Sequence, residues 1–396
     1  MSGRFFTGVA LAAIAFGAPS TVSSAGGARI ELTTDALLAG VYQEILRGHL
    51  DTALQDVEGI IRAKPNFRLA HLIKGDLLLA RARPITTLGA APNVPDARIE
   101  GLRAEAVSRV RAYHDRPPTD RVPRYLLQLR DDQKYAVVVD TRRSRLYLYW
   151  NDSGMPRLVT DYYVSSGKNG ALKLREGDER TPVGIYHITA SLPREKLSDF
   201  YGNGAFPINY PNEWDLMQGR NGHGIWLHGT PSDTYSRPPR SSNGCVVLAN
   251  VDLEALARGL QVGLTPVVIG ENVEWLSVDE WKDERRAFGD QLEQWRADWE
   301  SLDTERYLTH YSAHFLAQGQ DIRKWSRHKR IVNGSKSWIK VKLSNVSMFR
   351  DPGRDALMLV SFDQEYRSSN LSNTIRKRQY WLREGERWNI VYEGSG

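Results

Sequence analysis

The sequence has 396 residues, 41% of them hydrophobic, so it is too long for one ordinary compact domain and can bury substantial cores. Its net charge of +6 is spread along the chain without a dense run of Lys and Arg, which argues against nucleic-acid binding. The single cysteine, Cys245, excludes an internal disulfide.

The N-terminus has the pattern of a secretory signal peptide. Arg4 supplies a positive charge, residues 5–18 form a short apolar run, and residues 23–25 have the small side chains of a cleavage site. We therefore predict a signal peptide over residues 1–25 and a periplasmic protein; an uncleaved anchor is the alternative. No later segment approaches the roughly 18 apolar residues of a membrane span, so no transmembrane helix is expected in the mature chain.

Residues 30–116 are predicted to form an α-helical domain. Apolar residues recur at helical spacing, and the pattern breaks at residues 48–49 and 64–66. The run 36–80 resembles one tetratricopeptide-like helical hairpin, although a single repeat is normally too little to be stable alone. We interpret the domain as a docking or dimerisation unit, so a homodimer is a predicted assembly. Residues 84–95 are predicted to form a loop.

After residue 116 the hydrophobic period changes from helical to alternating. Strands are predicted at residues 135–140, 145–150, 158–165, 184–190, 224–228 and 265–269. Residues 249–260 are amphipathic and predicted to be helical. Residues 133–270 are therefore predicted to form a mostly-β domain.

The C-terminal third is predicted to combine helices with a sheet. A long helical stretch is expected over residues 281–316, followed by strands at residues 337–348, 356–366 and 379–391. Glu384-Gly385-Glu386 is a predicted hairpin tip. Helices followed by a curled antiparallel sheet resemble the SnoaL-like fold, related to nuclear transport factor 2. This resemblance covers residues 280–394 and implies an α+β cone.

His228 and Cys245 are the candidate catalytic pair. A thiol reacts as its thiolate, and a neighbouring imidazole takes its proton. A strand, a polar loop and a return turn bring two such side chains together. In the strand, His228 shares a face with Trp226, while Ile225 and Leu227 point to the other side. We predict Cys245 as nucleophile and His228 as base; the alternative is an inert buried thiol.

Gly244 precedes the candidate nucleophile. Glycine lets the backbone turn sharply and leaves room for a substrate carbonyl. We expect the N–H groups of Gly244 and Cys245 to face a developing oxyanion. Ser242 is expected to form hydrogen bonds within this turn.

Two segments resemble the L,D-transpeptidase catalytic domain, also called YkuD. They read His228-Gly229 with Ser242-Asn243-Gly244-Cys245 after a loop, and Thr181-Pro182-Val183-Gly184 before a strand. The resemblance covers residues 133–270. It implies that Cys245 attacks the L-centre carbonyl of diaminopimelate in a tetrapeptide stem and expels D-Ala. It also implies that His228 acts as base and acid, oriented by the Gly229 carbonyl, without a metal or organic cofactor.

The sequence departs from the family motif at two positions. Asn243 replaces the usual His, and Val247 stands where many members carry Arg or Asn. The loop arginines Arg237 and Arg240 are candidates to replace the missing charge, and a solvated loop charge is the alternative for each. The candidate substrate-contacting residues are Ser242, Asn243, Arg237, Arg240 and Trp226.

The three-part layout also resembles the cell-shape carboxypeptidases of helical bacteria, in which the outcome is hydrolysis of the terminal D-Ala. From the L,D-transpeptidase resemblance we expect a peptidoglycan enzyme that passes its acyl group from peptide stems to an amine, forming cross-links. Hydrolysis to tripeptide or release of wall-linked lipoprotein is the first alternative. A non-catalytic wall-binding scaffold is the second.

Overall fold

The computed structural model describes residues 33–90, 96–118, 120–317 and 319–396. The predicted signal peptide and residues 91–95 of the predicted loop lie outside this part. Within the described ranges, no helix is both long and apolar enough to cross a bilayer. Residues 34–396 form one compact unit.

The N-terminal region is helical, as predicted. Its described helices are α1 (Thr34–Leu46), α2 (Leu50–Ala63), α3 (Arg68–Ala80) and α4 (Asp96–His114). The breaks fall at the predicted positions, because Gly48 takes a left-handed φ of 78° and Pro65 lies between α2 and α3. The buried faces meet in an apolar cluster that includes Leu38, Val57, Phe67 and Ile73. These helices therefore share a core of their own.

The central region is mostly β, as predicted. Its strands are β1 (Arg121–Pro123), β2 (Leu126–Gln128), β3 (Tyr135–Asp140), β4 (Arg145–Asp152), β5 (Met155–Tyr163), β6 (Ser166–Gly167), β7 (Gly184–His187), β8 (Leu192–Pro193), β9 (Gly204–Pro207), β10 (Trp226–His228), β11 (Arg240–Ser242), β12 (Val246–Val247), β13 (Pro266–Gly270) and β14 (Trp275–Ser277). The helices α5 (Glu213–Met217) and α6 (Asn250–Ala257) connect them.

Two sheets of the central region share one apolar core. One sheet has five strands in the order β5-β4-β3-β13-β7, and the other has four in the order β12-β10-β9-β8. The residues that meet between them include Val137, Leu146, Ile269, Phe206, Leu227 and Val246. Strand β10 lies inside the smaller sheet, which makes it a rigid support for any side chain on its other face.

The C-terminal region is the predicted α+β cone. Its elements are α7 (Val278–Glu300), α8 (Thr304–Leu308), β15 (Tyr311–Ala317), β16 (Gln320–Asp321), α9 (Ile322–Gly334), β17 (Ile339–Arg350), β18 (Leu357–Ser368), β19 (Ser372–Glu384) and β20 (Arg387–Ser395). A seven-stranded sheet in the order β16-β15-β20-β19-β18-β17-β2 shares its core with α7. Gly385 forms the tip of the β19–β20 hairpin, as predicted.

The helix predicted over residues 281–316 is wrong in its last part. The helical segments end at Leu308, and Tyr311–Ala317 forms strand β15, which pairs in parallel with β20. Phe315 and Ala317 are buried whereas Leu316 between them is 45% exposed, which is the alternation of a strand. Helix α9 was not predicted, because basic and polar residues dominate its sequence and leave few apolar residues to reveal the helix.

Candidate active site

The register of two parallel strands brings the predicted base and nucleophile to one side of the smaller sheet. β10 pairs with β12 so that Leu227 lies opposite Val246 and His228 opposite Val247. Cys245 directly precedes β12, two residues from Val247, so its side chain lies on the same face as His228. Leu227 and Val246 point the other way, into the core. One face of this strand pair therefore belongs to the core, and the other carries the candidate chemistry.

The ring of His228 is held by the residue that follows it. Its Nδ1 lies 2.7 Å from the carbonyl oxygen of Gly229. Because a carbonyl oxygen only accepts hydrogen bonds, Nδ1 carries the hydrogen and Nε2 keeps its lone pair. This is the tautomer that a general base requires. The Gly229 carbonyl thus lies where the family resemblance implies an orienting acceptor.

Burial keeps this imidazole neutral. His228 is 1% exposed. Its burial lowers the pKa of His228 to about 4; the hydrogen bond to Gly229 opposes that shift, and the charge of Arg237 adds to it. At neutral pH the ring is therefore uncharged and able to accept a proton.

We expect the same pKa shift to reduce the stability of the protein in mildly acidic solution. The pKa of His228 is about 4 in the folded chain against an ordinary value of 6.5, so the unfolded chain takes up the proton first as the pH falls. The contribution of His228 to the free energy of unfolding should fall by about 2 kcal/mol between pH 7 and pH 5. Urea unfolding of the wild type and of His228→Gln at pH 5 and pH 7 isolates the contribution of His228 to the free energy of unfolding. If the free energy of unfolding depends on pH in the same way in both proteins, this result contradicts the lowered pKa of His228.

The thiol of Cys245 is half-buried and protonated at rest. Its Sγ donates a hydrogen bond to the carbonyl oxygen of Gly224 at 3.4 Å rather than to the imidazole. Burial raises the pKa of Cys245, while the backbone N–H of Trp226 and the cations Arg237 and Lys173 act in the opposite direction. Thiol and imidazole are thus both neutral at neutral pH.

The turn before Cys245 is built from backbone contacts. The hydroxyl of Ser242 accepts a hydrogen bond from the Gly244 N–H at 3.1 Å and donates to the Cys245 carbonyl at 2.6 Å. Thr181 donates to the Gly244 carbonyl at 2.9 Å. Gly244 has a φ of 122°, and a Cβ there would lie 2.7 Å from the Arg180 carbonyl oxygen, so only glycine fits. Ser242 is buried in this turn instead of lining the substrate face, where it was also predicted.

The two predicted oxyanion donors differ in this turn. The N–H of Gly244 is already bonded to Ser242. The N–H of Cys245 has no acceptor among the residues that the structure describes. The Cys245 N–H is therefore the donor that remains available to a negatively charged oxygen, whereas the Gly244 N–H is engaged in holding the turn.

Aromatic rings surround the imidazole. Phe200 and Tyr201 belong to a short 3₁₀ turn, and their ring centroids lie 5.8 Å and 5.1 Å from that of His228. Tyr201 also lies 4.7 Å from Trp226, which shares the site face of β10 as predicted. These rings exclude water from His228 and so account for its low pKa. Sequence reasoning missed Phe200 and Tyr201, which lie between the Thr181-Pro182-Val183-Gly184 segment and His228.

Of the two loop arginines, only Arg237 faces the site. Its guanidinium lies over the Phe200 ring, 4.7 Å from the centroid, and its charge acts on both Cys245 and His228. It is half-buried, and no carboxylate in the described part of the chain pairs with it. Arg240 is exposed on β11, and Asn243 is exposed at the turn.

Two sequence models match this chain. That of the L,D-transpeptidase catalytic domain (YkuD) matches residues 134–269, and that of the Cds6 C-terminal NTF2-like domain matches residues 287–394. Among solved structures, Bd1075 of Bdellovibrio bacteriovorus is 31% identical, with a TM-score of 0.63 over 69% of this chain and 97% of that chain. The chain belongs to the L,D-transpeptidase family.

A second solved structure has the same layout. The helical cell shape determining protein Pgp2 from Campylobacter jejuni is 25% identical, with a TM-score of 0.57 over 68% of this chain and 95% of that chain. No curated protein sequence matches. L,D-transpeptidase domains belong to cysteine enzymes that act on peptidoglycan stems.

The positions that depart from the L,D-transpeptidase motif lie in different surroundings. Val247 is 2% exposed, and its N–H donates to the Ser165 carbonyl at 2.9 Å. A charged side chain at this position would be buried. Asn243 is exposed, so a charged side chain at that position would remain in contact with solvent. Of the two cations that act on the thiol, Arg237 belongs to the loop that precedes Cys245.

Asn250, at the start of α6, holds the chain next to the His228-Gly229 segment. Its amide accepts a hydrogen bond from the Asn203 N–H at 2.9 Å and donates to the Thr230 carbonyl at 2.8 Å. A side chain at Gly229 would collide with this amide. Sequence reasoning missed Asn250; a polar residue at the first position of the helix that follows Cys245 was the available signal.

Proposed function

We propose that this protein is an L,D-carboxypeptidase of peptidoglycan. It hydrolyses the bond between diaminopimelate and D-Ala in tetrapeptide stems through a thioester on Cys245. Family membership supports a cysteine enzyme that acts on these stems. The single observation that carries the choice of substrate is Arg237, a half-buried cation beside the thiol that lacks a carboxylate partner among the described residues.

Acylation follows from the two neutral groups. As Sγ of Cys245 attacks the L-centre carbonyl carbon of diaminopimelate, the thiol proton passes to Nε2 of His228. The Gly229 carbonyl stabilises the imidazolium through Nδ1–H. The Cys245 N–H donates to the oxyanion. When the tetrahedral intermediate collapses, His228 gives the proton to the nitrogen of D-Ala, which leaves.

Deacylation repeats the sequence with water. His228 takes a proton from water as its oxygen attacks the thioester carbonyl, and the sulfur departs and regains a proton from the imidazolium. The products are a tripeptide stem and the free thiol. Water suits this site better than an amine acceptor, because Arg237, the first of the cations that act on Cys245, has no carboxylate partner among the described residues, whereas Lys173 is paired with Asp178 at 2.7 Å. Such an unpaired cation repels an approaching ammonium group.

Muropeptide analysis tests this proposal. We expect tetrapeptide muropeptides to give tripeptide and free D-Ala, resolved by chromatography and mass spectrometry. Cross-linked dimers would instead establish transfer to an amine, and cleavage only of stems carrying a lysine would establish lipoprotein release. If neither a product nor a covalent carbapenem adduct forms, the remaining interpretation is a non-catalytic wall-binding scaffold.

We expect Arg237→Gln to lower kcat/KM for tetrapeptide stems by about 10- to 100-fold, mostly through KM, because a charged hydrogen bond to the terminal carboxylate is lost. The matched control is Arg240→Gln, which removes an exposed charge on the neighbouring strand and should change kcat/KM less than about twofold. A stem whose terminal carboxylate is amidated should be cleaved equally by the wild type and Arg237→Gln. Equal losses in both arginine variants would contradict a specific contact.

The remaining expectations stay predictions. They are the signal peptide over residues 1–25, periplasmic location, homodimerisation through the helical region, and the domain limits 30–116, 133–270 and 280–394. Peptidoglycan peptide stems are the partner that this function requires.

A further inference from the structure

The loop that carries Arg237 is covered by the N-terminal helices. Residues 230–239 connect β10 to β11, so they lie between the predicted base and nucleophile in the chain. Asn66, between α2 and α3, binds this loop twice: its carbonyl accepts the Tyr235 N–H at 3.2 Å, and its side chain donates to the Ser232 carbonyl at 3.0 Å. Arg68 donates to the Thr234 hydroxyl at 3.3 Å.

Tyr235 inserts its side chain among these helices. Its ring centroid lies 4.8 Å from that of Phe67, which is completely buried. Its hydroxyl forms a 2.7 Å hydrogen bond with Thr34 at the start of α1. Tyr235 thus anchors the loop in the helical core two residues before Arg237.

The residues on either side of Arg237 contact α4. The Ser236 hydroxyl donates to Oε1 of Glu105 at 2.6 Å, and both side chains are buried. A Cβ at Gly101 would lie 2.9 Å from Cγ of Pro238, so α4 passes directly against Pro238. Arg237 therefore lies between two residues that one helix holds.

A buried charge network fixes Glu105 in turn. Arg109 binds Glu105 at 2.9 Å and Asp35 at 2.7 Å, and Asp35 binds Arg145 of β4 at 2.6 Å. The Arg109 guanidinium also lies 3.9 Å from the ring centroid of Tyr163, whose hydroxyl donates to the Arg237 carbonyl at 2.9 Å. The network thus joins the helices, the central sheet and the backbone of Arg237.

We propose that the helical region positions Arg237, and that the Ser236–Glu105 contact is the positioning element that sets the preference for stems with a free terminal carboxylate. This inference rests on the proposed function, because it assumes that Arg237 binds that carboxylate. Both family matches begin after the helical region, at residues 134 and 287. The helical residues that hold the loop therefore lie outside the segments that define the family, whereas the loop itself lies within residues 134–269. Ser236 and Glu105 act through Arg237 and do not touch substrate.

The test is a binding measurement in the Cys245→Ala background, which separates positioning from turnover. Calorimetry compares a tetrapeptide stem with its C-terminal amide. We expect Arg237→Gln to abolish the preference for the free carboxylate and Ser236→Ala to reduce it about fivefold to tenfold, because a loose loop holds the guanidinium poorly. Ser236→Ala combined with Arg237→Gln should behave as Arg237→Gln alone.

Two further variants separate positioning from general damage. Ser236 and Arg109 both bind Oε1 of Glu105, so Glu105→Gln keeps an oxygen for both bonds and should retain the preference, whereas Glu105→Ala should lose it. Alkylation of Cys245 by iodoacetamide should proceed equally in the wild type and Ser236→Ala. The inference would be overturned if Ser236→Ala left the preference unchanged, or if it lowered the affinity for the stem and for its amide by the same factor. If the Cys245→Ala protein prefers the free carboxylate but the wild type turns over no stem, the result counts against the proposed function alone.

Discussion

Cys245→Ala should release D-Ala from tetrapeptide stems at least ~10⁴-fold more slowly than the wild type, because the substitution removes the nucleophile of the acyl-enzyme. The sequence contains no other thiol to replace it. The turn should survive, since Ser242 and Thr181 bind backbone atoms that alanine retains. Quantification of tripeptide and D-Ala measures the loss.

The control for this variant is its fold. The melting temperature of Cys245→Ala should stay within a few degrees of the wild-type value, and a carbapenem should add one covalent mass to the wild type and none to the variant. Turnover within tenfold of wild type in Cys245→Ala would rule out the thiol as nucleophile.

His228→Gln should lower kcat/KM by roughly 10²- to 10⁴-fold, because glutamine cannot carry a proton between the thiol and the leaving nitrogen. In the wild type, kcat/KM should fall as the pH decreases through about 4, where the buried imidazole becomes protonated and stops acting as a base. Between about pH 5 and neutrality the profile should be flat. The variant should lack this acid limb.

The pH profile also separates two views of the site. An acid limb near the ordinary histidine value of 6.5 would mean that the imidazole is solvated in the free enzyme, contrary to its enclosure by Phe200 and Tyr201. His228→Gln that retains turnover near the wild-type level would exclude the ring as base. The pH profiles of Arg237→Gln and Arg240→Gln, measured over the same range, show whether the fall in kcat/KM reflects weaker substrate binding or slower catalysis.

Features encoded over short stretches of chain could be predicted from the sequence. A short run of apolar, mostly β-branched residues predicted strand β3 at residues 135–140, where the structure has it, and both faces of this strand are buried. The glycine at 244 and the histidine at 228 stand in local motifs, and their geometry follows from a turn and a strand. The orienting carbonyl of Gly229 is adjacent in sequence to the ring that it binds.

Features that depend on distant segments could not be predicted. The Ser236–Glu105 contact joins residues 131 positions apart, and nothing in either segment indicates the other. The helical region was interpreted as a docking or dimerisation unit because a single helical repeat is normally too little to be stable alone. Part of its surface is covered by Tyr235 of the same chain. Likewise, β15 is a strand because β20 pairs with it, a choice that its own residues do not reveal.

The protonated state of Cys245 has a consequence for the lifetime of the enzyme. Oxidants and foreign disulfides react with thiolates far faster than with thiols. Because burial raises the pKa of Cys245, the sulfur resists conversion to sulfenic acid or a mixed disulfide while the site is empty. In the proposed mechanism, nucleophilicity is generated only when a substrate carbonyl and the imidazole are both in place, so the lone thiol should persist in the predicted periplasmic location.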